Sequence, residues 1–584
     1  MMYELVRSKT GRLLRIHPLV LISLAAAPVF AQQTTFSPGN LVVAVEGCGV
    51  YGGTCTVQGG TGTGTGNSSV GGYGDNQAAP LTLFQFSPVN TSSAAYVNSL
   101  VLPQTASGAN FPVSGEYGSS SEATLQLSGN GQYLTIMGYG INAATFDANP
   151  TAYGAAPSNA LAQSGSLTGQ SYTPVPRVVA LIDANGNVSS STAVYNIFNV
   201  NNPRSVFSGN GTSAYLSGQG SGSDATGGVF LTPLDFTNTA PTAITGLDAT
   251  NNTVAQDTRE VQIYNNTLYT SVDTKGGSNA ARDYIGTLGT PGTLPTTTVG
   301  APVMLTGFGN TGGTGKVTIT TGANSNGNGM NAGLQINISS NNYFFANPAT
   351  LYVADGGAPK NNSATSPVGN GGLEKWINSN ADGSGTWNLA YTLYKGLNLV
   401  PNNTGSGTSG LYGLTGKVVD GMVLLYATNY TLSDLDPTFL FGITDNLSYT
   451  TASQAAGETF TQLAAAPQDS NFKGVAFAPT SLSPSFSFTS STAKQNDGSY
   501  LVTVTVNNGG AGTAQDVTLS NITVGGVAGT PAQSALGPIA TGASATTTVR
   551  VPASAGTSGA TVVEKITASY DGGSLTGSLR TRLP

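Results

Sequence analysis

The chain has 584 residues and a net charge of −7, with 27 acidic against 20 basic side chains and a single histidine. An acidic balance argues against nucleic acid and anionic membrane as partners, because both demand basic surface. Only 8% of residues are charged and 79 are glycine, yet the hydrophobic 39% falls in short alternating runs, which reads as a turn-rich all-β protein rather than a disordered one.

At the N-terminus, Arg7, Lys9, Arg12 and Arg15 precede an apolar run over 18–30 and small residues at Val29 and Ala31. This layout predicts a secretory signal peptide over residues 1–31. The apolar run is too short to cross a bilayer comfortably. The mature chain is therefore expected to be secreted, periplasmic or at the cell surface, with no integral membrane span after cleavage. Cleavage leaves 16 basic against 26 acidic residues and removes His17, the only imidazole. Ser-His-Asp and Cys-His catalysis and histidine-held metals go with it.

The mature sequence begins with a strand at 40–46 and a loop over 47–79 that holds both cysteines, Cys48 and Cys55. In an exported protein this pair predicts a local disulfide. Strands at 81–86 and 96–102 follow. Residues 122–138 then predict a hairpin, with apolar residues at Ala123, Leu125 and Leu127, the turn Ser128–Gly131, and a second run from Tyr133. The same Ser-Gly-Asn-Gly turn returns at Ser208–Gly211 inside a matching hairpin, so a β unit is repeated. The first unit is completed by 178–182 and 188–195. Further units begin near Arg204, Arg259, Leu334 and Leu411, and one strand, Phe472–Ala478, is left over.

Repeated short β units of this kind predict a propeller. The leftover Phe472–Ala478 would join the three N-terminal strands to close the ring. The count is six blades, or seven if the insertion 307–333 contributes one. After a Pro/Ser linker at 480–485, residues 486–584 carry six or seven short alternating strands, the pattern of an Ig-like β-sandwich. The expected domains are thus 1–31, 32–479 and 486–584.

The Ser128–Gly138 stretch resembles the hairpin of exported bacterial propellers with YVTN-type repeats. Leu351–Gly357 is similar to the phrase of NHL-type propellers. Residues 502–522 resemble adhesion-associated, CARDB-like modules. The resemblance implies the fold, within a group that includes binding proteins, scaffolds and some enzymes.

The chemistry left without imidazole is carboxylate chemistry, oxygen-ligated calcium and plain binding. Asp434 with Asp436, and Asp355 with Glu374, are the carboxylate pairs that a carbohydrate-active or lyase-type enzyme could use. Asp183, Asn185 and Asn187 alternate oxygen donors as a calcium loop does, but Val194 stands where such a loop needs a bidentate Glu, so a β-turn using Asp and Asn-Gly is the favoured reading. No other cofactor is implied. Arg204, Arg259 and Lys473 each stand six residues before a turn residue, Asn210, Asn265 and Pro479. That common register predicts a partial cationic ring at one end of the central channel, able to hold an anionic ligand. The competing reading is that the three pair with neighbouring carboxylates. The sequence thus favours a non-catalytic binding or scaffold protein with an extracellular glycan or protein ligand. The alternatives are the carboxylate enzyme and a structural surface-layer component.

Overall fold

A computed structural model describes residues 34–584 except 53–72, 120, 156–158, 222–223, 247–256, 273–283, 309–315, 319–334, 358–370, 402–403, 482–483, 511, 513, 533 and 571–572. The expected signal peptide therefore lies outside the described residues, as does Cys55. The described residues are nearly all β, with one α-helix, Ala143–Ala148, whose N-terminus is capped by the Asn142 side chain. None of their helices is long and apolar enough to cross a membrane.

The described residues up to 477 supply six groups of four antiparallel strands. Sheet I holds Gln126–Leu127, Tyr133–Tyr139, Arg177–Asp183 and Val188–Val194. Sheet II holds Pro203–Phe207, Ser213–Gly218, Gly228–Pro233 and Thr242–Ala243. Sheet III holds Thr258–Tyr264, Thr267–Val272, Tyr284–Leu288 and Val303–Met304. Sheet IV holds Ser340–Asn347, Thr350–Asp355, Gly372–Asn378 and Trp387–Leu393. Sheet V holds Thr408–Val419, Met422–Thr431, Phe439–Asn446 and Thr461–Ala465. Sheet VI joins the two ends of this region: Ser470–Phe477 pairs with Leu41–Gly47, which leads to Ala78–Val89 and Ser93–Val101. The short strand Ser114–Glu116 bridges sheets VI and I.

The strand Leu41–Gly47 is buried along its whole length, not on alternate positions. The reason is that both of its faces are covered. Val42 and Ala44 pack with Leu134 and Ile136 of sheet I, while Leu41, Val43 and Val45 pack with Tyr426 and Leu440 of sheet V. Each other neighbouring pair of sheets has its own apolar cluster: Val179 with Leu216, Tyr215 with Leu268, Ile285 with Val353, and Leu373 with Leu425. Burial on both faces demands continuous apolar runs in the strands that carry it.

The first strand of every sheet touches the first strand of the next, and that of sheet VI touches sheet I. At the seam, Gly474 donates its N–H to Ala123 O at 3.1 Å. A Cβ on Gly474 would lie 2.0 Å from the main-chain nitrogen of Leu125. We predict that Gly474→Val costs about 3 kcal/mol or prevents folding, whereas Gly457→Ala, with nothing within 4 Å, is neutral. Urea midpoints of the two variants check this.

One expectation needs correction. The hairpin strand expected through Ala123, Leu125 and Leu127 is paired only at Gln126–Leu127. Ala123 takes a φ of 55°, and main-chain groups of Ala123 and Thr124 bond sideways to Gly474 and Arg204. The insertion 307–333 supplies Lys316–Thr318, which pairs with Gln335–Asn337 as a two-stranded ribbon, and most of its remaining residues lie outside the described ones. The repeated turns meet as neighbours: Gly129 N–H donates to Ser208 O at 2.9 Å, with Gly131 and Gly211 at φ 72° and 83°.

From 486 onward, two sheets pack face to face. Phe486–Lys494, Tyr500–Asn508 and Ser544–Val551 form the first, with Thr530–Pro531 at its edge. Ala514–Val524, Thr561–Tyr570 and Gly573–Arg582 form most of the second. Here burial does alternate along Tyr500–Asn508, and Val502, Val504 and Val506 meet Val517, Ile522 and Ile566.

Candidate functional site

The starts of the first strands gather a polar tier. Arg204 is buried and paired with Asp257, and its other terminal nitrogen donates to Gln219 Oε1 at 2.8 Å. Arg259 donates to Asn341 Oδ1 at 2.6 Å, and Asn341 in turn donates to Leu411 O at 2.9 Å. Lys473 lies 3.3 Å from Glu46 Oε2 and donates to Ser119 O. The three predicted cations thus occupy comparable positions, but each is buried and engaged with its own neighbour. Thr124 and Asn341 complete the tier from sheets I and IV. Both also stand six residues before an asparagine, Asn130 and Asn347, a signal that a search for charged residues passes over. Tyr412 of sheet V fills the space between, donating to Glu122 O at 2.6 Å beside Thr124.

Behind this tier lie three buried carboxyl groups that the sequence did not single out. Glu122 accepts from Tyr139 Oη at 2.5 Å, from Asn202 and from the Glu116 N–H. Glu116 accepts from the Ala162 N–H at 2.5 Å. Burial pushes Glu46 up to about 8 even with Lys473 beside it. Burial raises Glu116, aided by the charge of Glu122, and raises Glu122 against its hydrogen bonds. These groups hold protons well, but the cavity beside Lys473, Ser119 and Asn471 has a volume of about 20 Å³. That space suits one water, not a sugar.

The other sequence candidates are internal to the scaffold. Asp436 accepts from Ser406 Oγ and from the N–H groups of Gly407 and Ser433. Asp355 and Glu374 are brought together and hydrogen-bonded, with Trp376 Nε1 donating to Glu374 at 2.8 Å. Asp183 accepts from Asn185 and Asn187, closing its own turn. Cys48 packs against a cluster of Tyr73, Ala79, Tyr117 and Leu435.

A groove of about 450 Å³ lies between sheets III and IV. Its wall is aromatic. Tyr264 stacks on Phe345 with ring centres 4.5 Å apart, Tyr269 lies 4.8 Å from the same ring, and Trp387 closes the base. The two tyrosines remain half-exposed. The rim is polar: Asn265, Thr267, Ser384 and Asp382 line it. Asp382 is fixed by the Ser384 hydroxyl at 2.7 Å and the Ser384 N–H, which hold its carboxyl below the usual range. A flat aromatic wall with fixed hydrogen-bonding groups around it suits a ligand with one apolar face and several hydroxyls. Compared with known proteins, the chain matches no family model and no curated sequence.

Proposed function

We propose that the protein is an exported, non-catalytic binding protein that holds a short neutral glycan in the groove between sheets III and IV. In this reading residues 32–479 are a six-bladed propeller, 486–584 are an Ig-like module, and Cys48 and Cys55 form a disulfide. Support for the ring comes from the circuit of first strands and the six inter-sheet clusters. The observation that carries the binding function is the stacked aromatic wall facing Asp382 and Asn265. Binding is favoured over catalysis because the groove presents one carboxylate, while Glu46, Glu116 and Glu122 are buried away from it.

Calorimetric titration of the mature protein with a panel of neutral oligosaccharides tests this. Tyr264→Ala and Tyr269→Ala should each weaken binding at least about tenfold, ~1.4 kcal/mol, with melting little changed. A panel that finds no glycan bound, or binding indifferent to both substitutions, would overturn the proposal.

A further inference from the structure

Lys375 lies in the third strand of sheet IV and Asp445 in the third strand of sheet V, and neither side chain is exposed. Lys375 Nζ is 2.8 Å from Asp445 Oδ2. The carboxyl is held from several sides. Tyr391 donates to Oδ1 at 2.7 Å, Tyr352 donates to Oδ2, and the Glu458 carboxyl is hydrogen-bonded to it as well. The amine is held just as firmly, donating to Tyr391 Oη at 3.0 Å and Asn446 O at 2.9 Å, with the rings of Tyr352 and Tyr391 5.6 and 5.3 Å away. This cluster belongs neither to the groove nor to the polar tier.

We propose that Lys375 and Asp445 are joined by an intramolecular amide bond, formed within the folded protein with Glu458 as the proton carrier. An amine and a carboxyl kept in contact by two packed sheets have a very high effective concentration, and a dry surrounding favours the neutral products over the ion pair. In the step, the Lys375 ammonium first passes a proton to Asp445 Oδ2, 2.8 Å away, which leaves a neutral amine and a carboxylic acid. Nζ then uses its lone pair to attack Asp445 Cγ, and the carbonyl electron pair moves to Oδ1, held by the Tyr391 hydroxyl. Glu458 protonates the other carboxyl oxygen, whose bond to Cγ breaks and which leaves as water. The proton lost from the attacking nitrogen restores Glu458. Ammonium plus carboxylate has become a secondary amide plus water, with no oxidant or cofactor consumed. Burial supports both roles: it lowers the Lys375 pKa, favouring the nucleophile, and raises Glu458 to about 9, so that it carries a proton at neutral pH.

The test is the mass of the denatured wild-type protein, with digestion to locate any cross-link. The expected result is a peptide pair joined through Lys375 and Asp445 and lighter than its linear sum by one water. Glu458→Gln should give a folded protein, by circular dichroism, with linear peptides of full mass. Linear Lys375 and Asp445 peptides from the wild type would overturn the proposal. Equal cross-linking in Glu458→Gln would overturn the role given to Glu458.

Discussion

At about pH 8 the protein will unfold at a clearly lower urea concentration than at about pH 5, with Glu46 alone contributing on the order of 4 kcal/mol. In the unfolded chain this carboxyl titrates near 4.5, and in the folded chain near 8. Between those values the native state holds a proton that the unfolded state has released, so raising the pH drives unfolding. The stabilisation is complete below about 4.5 and lost by about 8. The charges that bear on Glu46 are Lys473, which opposes the shift, and Glu122 and Asp434, which add to it. Burial raises Glu116, Glu122, Glu260 and Glu374 in the same sense, and Glu458, at about 9, extends the window upward. Asp382 and Asp497 are lowered, but both are exposed and count for little. Glu46→Gln should flatten the profile and raise stability at about pH 8. A wild-type protein equally stable at both pH values would refute this account.

Burial without compensation explains what could and could not be read in the sequence. The strands of the six sheets were legible because a strand covered on both faces carries a continuous apolar run, as Leu41–Val45 does, or is bounded by a turn residue, as at Gly131 and Gly211. The pairing of Phe472–Ala478 with the N-terminal strands was legible for a topological reason: an isolated apolar strand needs partners, and the three strands 40–46, 81–86 and 96–102 lacked a fourth. The carboxyl cluster was not legible. Glu46, Glu116 and Glu122 look like ordinary strand-end or turn residues, and only the tertiary fold shows that sheets VI and I enclose them. The same holds for Lys375 and Asp445, each unremarkable within its own strand. The groove draws Tyr264 and Tyr269 from one sheet and Trp387 and Asp382 from the next, so no local spacing announces it. The described residues of 140–176 gave no alternating pattern because they form short helices and loops, held in part by the Arg177 side chain at Ser164 and Val175.

Replacing Arg177 by Met should cost about 4 kcal/mol and loosen two loops that are far apart in sequence. The guanidinium is wholly buried and donates to Ser164 Oγ and O and to the carbonyls of Val175, Phe198 and Asn201, at 2.7–3.2 Å. It also lies 4.7 Å from the ring centre of Tyr139, the residue that donates to Glu122. The Phe198 and Asn201 contacts matter most. The connection from sheet I to sheet II takes left-handed backbone at Asn196, Phe198 and Val200, with φ of 60°, 47° and 49°. For a β-branched residue such as Val200 that conformation is unfavourable and persists only where neighbouring contacts enforce it. Arg177 supplies those contacts from the strand on the other side. Met preserves much of the apolar stem but leaves the four carbonyls without their charged donor. Lys at this position cannot restore five contacts from one nitrogen. Hydrogen exchange should therefore show 164–175 and 196–202 losing protection together in Arg177→Met and in Arg177→Lys, while sheets III and IV are unchanged. Loosening of only one of the two loops would show that they are held independently, and that Arg177 is not the tie between them.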